Sequence, residues 1–341
     1  MRNTSIDLMR LIAALLIISL HVPQIPESSL VEWIRVTVRW CVPFFFIAIG
    51  YYLPDPQKGE TRILDFSARL ATTFLVASLL YVPVRLWFWG FRFPVSIFSL
   101  GTWYHLWFLS AAVYGTIGVV IFSRLRILNF AVPAAIAILA AFIVMDFLAG
   151  INDRFSRETA TLQILSGFAF ITAGMLARRK SESFVRHSWA FLFAGLALQI
   201  PEALLSSALG SDMAARKMFL GTILVGLGLF GVCIRHGHIV GGRVAGASAL
   251  LALPVYIIHP LIIRSLGTFL EWRPQNETDY FAFLAVTAGL TLTAAVSLSV
   301  FLPGAIRVLS GRPNDAPVSS RRPDKDVRSS GAFPSRSSPT A

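Results

Sequence analysis

The sequence predicts an all-α, polytopic integral membrane protein of about ten transmembrane helices. Three observations predict this fold class: the low content of charged residues, the length of the apolar runs, and the placement of lysine and arginine between those runs. All three concern solvation, because every part of a protein surface must be covered either by water or by lipid.

The composition excludes a soluble globule. Hydrophobic residues make up 55% of the 341 residues, whereas Asp, Glu, Lys and Arg together make up only 14%. A typical soluble domain carries about 25% charged residues. The two cysteines, Cys41 and Cys233, lie in apolar runs with no CxxC and no nearby histidine pair. They indicate neither a disulfide framework nor a zinc site, and we expect no metal.

Apolar runs are the second observation, since a helix needs about 20 mostly apolar residues to cross the bilayer core. Ten runs of suitable length lie near residues 6–22, 34–53, 66–89, 104–123, 128–149, 161–177, 187–209, 218–234, 248–268 and 280–303. Continuous runs favour helices over a membrane barrel, which is built from short alternating segments. No small-x-small cleavage site follows the first run, so we interpret it as an uncleaved helix.

Lysine and arginine predict the orientation in the membrane. With the N-terminus in the cytoplasm, 20 of the 30 Lys and Arg fall on the cytoplasmic side, and seven of these lie after Pro303. The cluster Arg178-Arg179-Lys180 is the firmest single anchor. An even number of helices places both termini in the cytoplasm. The net charge of +12 forms no contiguous basic face, so we expect a lipid bilayer and no nucleic acid as partner.

Two regions follow from this organisation. Residues 1–305 are predicted to form the transmembrane domain. Residues 306–341 are rich in Ser, Pro and Arg and have almost no large apolar residues. Such a segment cannot bury enough apolar surface to fold alone, so we predict a disordered cytoplasmic tail.

Three histidines, His21, His105 and His259, lie in or beside apolar runs. Ionisable residues are costly inside a membrane and are functional candidates by default. The alternative for each is a structural one, in which the imidazole caps a helix or makes an internal hydrogen bond.

Arg10 and His21 are the most informative pair. Eleven residues at about 100° per residue return to within about 20° of the same direction, so both side chains project from one helix face. Their separation along the helix axis is about 16 Å. An arginine suits phosphate binding, and a histidine suits removal of a hydroxyl proton near neutral pH. Arg10 is alternatively an ordinary positive-inside anchor.

Four segments, in order along the chain, resemble the acyltransferase 3 family of bacterial membrane O-acyltransferases. They are the Arg-x10-His pattern of residues 5–21, the Pro-Phe-Phe…Gly-Tyr segment of residues 42–51, the Trp-Tyr-His segment of residues 103–109, and the Tyr-x-x-His-Pro element of residues 256–260. Two departures stand beside this resemblance. Ile49 occupies a position where the family often has Ser, and Arg62 and Arg69 are seven residues apart in place of a tight Arg-x-x-Arg.

The resemblance implies an acyl-CoA donor, most commonly acetyl-CoA, on the cytoplasmic side of a bacterial inner membrane. It implies an acceptor hydroxyl on a glycan or lipid-linked sugar, and no permanently bound cofactor. On this reading Arg10 and Arg69 hold the donor phosphates, and His21 is the catalytic base. Arg62 lies on nearly the same helix face as Arg69, which leaves a two-arginine donor site open. His105 and His259 are expected to orient His21, bind the acceptor, or stabilise charge at the thioester oxygen.

Other polar residues have two readings. Trp103 and Tyr104 are either a stacking surface for a sugar or part of an interfacial aromatic belt. Glu202 either serves the acceptor or is hydrated at the interface. Arg35 and Arg39 are one turn apart and either contact an anionic lipid-linked glycan or pair with Glu32. The chief alternative function is a transporter or exporter of a glycan or lipid-linked substrate. Such proteins commonly show two related halves, and the sequence shows no such symmetry.

Overall fold

The computed structural model describes residues 3–25, 28–90 and 100–310. Throughout these ranges the regular structure is helical, with no β-strand. This confirms the predicted all-α class.

The α-helices are numbered here in chain order. They are α1 (Thr4–His21), α2 (Ser29–Thr37), α3 (Cys41–Tyr52), α4 (Glu60–Trp89), α5 (Trp107–Arg124), α6 (Ala131–Ile151), α7 (Ser156–Arg179), α8 (Ser181–Arg186), α9 (Ser188–Ala208), α10 (Leu220–Arg235), α11 (Gly242–Phe269), α12 (Glu277–Phe301) and α13 (Pro303–Leu309). Short 3-10 turns precede α3, α5, α6 and α7.

Nine helical segments in the described part of the chain are long and apolar enough to cross a membrane. One of them, Ser29–Tyr52, combines α2, a 3-10 turn and α3. The remaining predicted run, 218–234, corresponds to α10, which has only 16 residues. At 1.5 Å per residue it spans about 24 Å, less than the hydrocarbon core of about 30 Å. The prediction of about ten helices is therefore confirmed, with one short member.

The helix ends differ from the predicted runs. The α4 helix begins at Glu60 and has 30 residues, because polar residues at its start are helical as well. At the other end of the chain, α13 includes residues 306–309, which the sequence placed in the tail. Residues 311–341 lie outside the described residues, so the disordered tail stays a prediction.

The α1 helix is held inside the bundle. It packs against α11, α3 and α10, and Ala13, Ala14 and Ile17 on it are buried. The Ser5 hydroxyl donates to the carbonyl oxygen of His236 at 2.6 Å, near the start of the helix. Near its end, the Tyr280 hydroxyl donates to the carbonyl oxygen of Ser19 at 3.0 Å. Both ends of α1 are therefore fixed relative to neighbouring helices.

The α3 and α7 helices cross at very close range through two glycines. A Cβ atom added to Gly50 would lie 1.9 Å from the carbonyl oxygen of Ile171, and one added to Gly174 would lie 2.2 Å from that of Ile47. Small residues let membrane helices approach this closely, which increases dispersion contacts between them. Gly50 belongs to the Pro-Phe-Phe…Gly-Tyr segment, so part of that pattern has a packing explanation.

Gly50→Ala should destabilise the protein by about 1–3 kcal/mol, because the added methyl group meets backbone atoms that cannot rotate away. Gly289→Ala is the matched control, since a Cβ atom there would meet nothing within 4 Å. Thermal unfolding of both purified variants in detergent measures the difference. Equal unfolding temperatures for the two variants would show that the close crossing is wrong.

Candidate active site

The face of α1 that carries Arg10 and His21 is termed here the α1 stripe. At its Arg10 end lies a cavity of about 360 Å³, termed the Arg10 cavity. It is lined by the three arginines that were predicted to hold the donor: Arg10 from α1, and Arg62 and Arg69 from α4. Arg10 Nη1 also lies 3.9 Å from Asp7 Oδ1. The remaining wall is largely apolar and includes Phe45, Phe66, Phe108, Leu109, Leu253 and Ser310. Guanidinium groups around one cavity suit a polyanionic ligand such as a phosphate chain.

The other end of the stripe opens into a cavity of about 410 Å³, termed the His21 cavity. Its polar and aromatic lining comes from α1, α2 and the turn after it, α5 and the turn before it, α7, α11, and the loop between α9 and α10. The polar and aromatic residues that line it are His21, Arg35, Arg39, Tyr104, Trp107, Gln163, Lys217 and Tyr256. Its size is typical of pockets for small ligands, which measure about 300–1,000 Å³.

The three histidines come together at this end of the bundle. The ring of His21 stacks on that of His259, with centroids 5.1 Å apart. The ring of His105 lies edge-on to His259 at 5.7 Å. The Tyr104 ring is 5.1 Å from His21. Residues from three distant parts of the sequence thus form one cluster, and His21 and Tyr104 are its members on the cavity wall.

The position of His21 follows from the local sequence. The residue before a proline is disfavoured in the α region, and Val22 precedes Pro23. Val22 accordingly is extended, with φ −62° and ψ 137°, and α1 ends at His21. The imidazole therefore lies on the last turn of a helix whose body is buried.

His105 and His259 are fully buried, unlike His21. His259 Nδ1 donates to the Val255 carbonyl oxygen at 3.3 Å, which leaves Nε2 as the proton acceptor of that ring. Pro260 has no backbone N–H, so the Tyr256 carbonyl oxygen lacks the helical donor it would otherwise have. The His105 carbonyl oxygen accepts a hydrogen bond from the Tyr256 hydroxyl. Neither ring nitrogen of His105 has a hydrogen-bond partner within the described residues.

The two cavities are separated by an aromatic partition consisting of Phe108 and Tyr256. Phe108 lines the Arg10 cavity and Tyr256 lines the His21 cavity. Their ring centroids are 5.3 Å apart. Two side chains in direct contact therefore stand between the cavity with the arginines and the cavity with the histidine.

Two other predicted site residues have different surroundings. The Glu202 carboxylate accepts hydrogen bonds from the backbone N–H groups of Leu220 at 2.9 Å and Gly221 at 3.1 Å. It thus caps the N-terminus of α10, where backbone donors need acceptors, and it does not line either of the two cavities. Trp103 is buried and stacks on Tyr81 with centroids 5.4 Å apart. We assign structural roles to both, and of the Trp103–Tyr104 pair only Tyr104 reaches the His21 cavity.

A buried ion pair that the sequence did not reveal lies beside the His21 cavity. Arg216 Nε lies 3.7 Å from Asp146 Oδ2, and both side chains are almost fully buried. Asp146 Oδ2 also accepts from the backbone N–H of Lys217 at 2.7 Å and of Met218 at 3.0 Å. Burial lowers the pKa of the Arg216 guanidinium, and the Asp146 carboxylate opposes that shift. The available signal was Asp146 itself, a lone acid within the fifth apolar run.

This pair positions the wall of the His21 cavity. Arg216 Nη1 donates to Ser206 Oγ at 2.5 Å, and Nη2 donates to the Met218 carbonyl oxygen at 2.9 Å. The loop between α9 and α10 is thereby tied to α6 and α9, and Lys217 in that loop lines the cavity.

Comparison with known proteins identifies one family. The family model described as an acyltransferase domain matches residues 3–301. A serine/alanine racemase of Enterococcus gallinarum is 26% identical over 329 residues, covering 85% of this chain and 45% of its own length. An amino-acid racemase of Enterococcus faecalis is 31% identical over 141 residues, covering 36% of this chain and 20% of its own.

The chain therefore spans less than half the length of these curated relatives. No solved structure matches it. The family match and the long apolar helices together make it a multi-pass membrane protein.

Asp146→Asn should lower the unfolding temperature strongly, because breaking a buried ion pair leaves one charge uncompensated and costs about 3–5 kcal/mol. The control is Glu182→Gln, which removes the exposed pair with Arg186 and should change stability little. Thermal unfolding in detergent measures both variants. Asp146→Asn protein as stable as the wild type would contradict the assignment.

Proposed function

Since this chain belongs to the acyltransferase family whose model it matches over residues 3–301, we propose that it transfers an acyl group from cytoplasmic acyl-CoA to a hydroxyl of a glycan or lipid-linked sugar. Acetyl-CoA is the proposed donor. The protein is proposed to lie in a bacterial inner membrane with both termini in the cytoplasm. The observation that supports this best is the pair of cavities at the two ends of the α1 stripe, one with three arginines and one with His21.

The Arg10 cavity suits the donor. Arg10, Arg62 and Arg69 offer several N–H donors to the phosphates of CoA, and the apolar remainder of the wall suits the uncharged arm that carries the thioester. The arm would then extend along α1 toward His21, a distance of about 16 Å along the helix axis. To reach His21 it must pass the contact between Phe108 and Tyr256, so rotation of these side chains is part of the proposal.

At the His21 cavity the chemistry needs one base. The His21 imidazole accepts the proton of the acceptor hydroxyl while the hydroxyl oxygen attacks the thioester carbonyl carbon. A new C–O bond forms, and the carbonyl oxygen carries the negative charge of a tetrahedral intermediate. The intermediate then collapses, the C–S bond breaks, and the CoA sulfur takes the proton from the His21 imidazolium. The products are an ester and free CoA. His259, stacked on His21, holds the ring of the base in place.

His21→Ala should reduce acyl transfer by about 10²–10⁴-fold, the usual contribution of a general base. Proteoliposomes with the purified protein, labelled acetyl-CoA and a bacterial glycan extract provide the assay. His187→Ala is the control, since His187 is exposed and lines neither cavity. Normal transfer by the folded His21→Ala protein would sink the mechanism. Flux of intact substrate with no covalent label would favour the transporter alternative.

Arg10→Gln and Arg69→Gln should each raise the KM for acetyl-CoA about 10-fold or more, with a smaller effect on kcat. Hydrogen bonds to charged groups contribute about 1.5–3 kcal/mol, and 1.4 kcal/mol is a factor of ten in affinity. Arg186→Gln serves as the control, because its side chain is exposed and pairs only with Glu182 among the described residues. An unchanged KM in both cavity variants would place the donor elsewhere.

A further inference from the structure

The His21 cavity is strongly cationic. Three of its lining residues, Arg35, Arg39 and Lys217, carry a positive charge, and no Asp or Glu of the described chain lines it. These cations come from two separate parts of the sequence: Arg35 and Arg39 lie one turn apart around the end of α2, and Lys217 lies in the loop before α10. The chain therefore places like charges around one cavity, which is unfavourable unless carboxylates or a ligand compensate them.

The two arginines are poorly satisfied by the protein. Arg35 Nη1 donates to the Val22 carbonyl oxygen at 3.4 Å, and Arg39 Nη2 donates to the Ala214 carbonyl oxygen at 2.5 Å. A guanidinium has five N–H donors. The Nε atoms of both arginines are buried and have no hydrogen-bond partner within the described residues. Buried charged donors without partners are costly, so their presence needs an explanation outside the protein's own contacts.

The neighbouring carboxylates are already engaged. Among the described residues no carboxylate oxygen lies within 4 Å of Arg35, Arg39 or Lys217, so the pairing with Glu32 considered from the sequence does not form. Asp146 pairs with Arg216 and accepts two backbone hydrogen bonds. Asp212 accepts from the backbone N–H groups of Ala214 and Ala215.

We propose that the His21 cavity binds an acceptor with an anionic group, a phosphate or a carboxylate, held by Arg35, Arg39 and Lys217. This proposal rests on the proposed function for the identity of the acceptor, but the anion site itself does not. The anionic group is held by the three cations, and the hydroxyl to be acylated lies at His21 on the same cavity wall. Arginine provides the planar fork that fits either anion. Uncharged glycans lack this anchor and are poor acceptors.

Binding is tested without acyl transfer, by thermal unfolding of the purified full-length protein in an uncharged detergent. The probes are glucose 1-phosphate, glucuronate and glucose. We expect the unfolding temperature to rise with at least one of the two anions and not with glucose, because a ligand that binds only the folded state stabilises it. Comparison of glucose 1-phosphate with glucuronate distinguishes a phosphate from a carboxylate.

Variants locate the bound anion. Arg35→Gln, Arg39→Gln and Lys217→Gln should each weaken binding 10-fold or more, whereas Arg35→Lys and Arg39→Lys should retain part of it. Lys217 is exposed, so its variant keeps the test informative even if an arginine variant fails to fold. Arg273→Gln is the control, an exposed cation that lines neither cavity. Arg10→Gln reports on anions bound in the Arg10 cavity. Loss of binding in Arg10→Gln but not in Lys217→Gln would overturn the proposal.

The transfer assay separates this proposal from the proposed function. With a glycan extract divided by anion exchange, label should enter the anionic fraction and Lys217→Gln should reduce that transfer. Label that enters only the neutral fraction, at the same rate in wild type and Lys217→Gln, would refute the anionic acceptor and leave the acyltransferase intact. Anion binding that depends on Arg35, Arg39 and Lys217, without any transfer of label, would support the anion site and count against acyl transfer.

Discussion

The cost of placing charged and polar groups in lipid is the constraint on which this structure depends. Backbone groups satisfy it by forming helices, and the side chains that violate it must be enclosed by protein. Asp146 meets the constraint by pairing with Arg216, and Glu202 meets it by capping α10. The side chains of His21, Arg35 and Arg39 have no such ion pair or capping role among the described residues, and all three line one cavity. The bundle thus separates polar groups that stabilise it from polar groups left available to a ligand.

The α1 helix connects the two available sets. It is buried against α11, α3 and α10, and hydrogen bonds near both ends fix its position. Arg10 and His21 therefore stand at a constant separation in two different cavities, with Phe108 and Tyr256 in contact between them. The proposed transfer between opposite sides of a membrane needs two separate binding volumes and a closed contact between them, and both are present.

The sequence predicted more of the Arg10 cavity than of the His21 cavity. Arg10, Arg62 and Arg69 could be assigned to one end of the bundle because they follow helix periodicity and flank apolar runs at the same side. The neighbours of His21 could not be found in this way. His105 and His259 were recognised as costly residues, but their contact with His21 depends on how α1, α5 and α11 pack. Arg216 was invisible for the same reason, since a cation between two apolar runs is usually an exposed anchor.

The sequence by itself determined the membrane fold, the number of helices to within one short member, and the stripe from Arg10 to His21. These properties are local: they depend on hydrophobicity over about 20 residues and on 3.6 residues per turn. Only the tertiary structure decided that Glu202 caps a helix and that Arg35, Arg39 and Lys217 surround one cavity. It also decided that position 50 must be glycine, because a Cβ atom there would lie 1.9 Å from the carbonyl oxygen of Ile171. Glu202 is 18 positions from its partner Leu220, and the other two outcomes join residues more than 100 positions apart. No local pattern specifies such contacts.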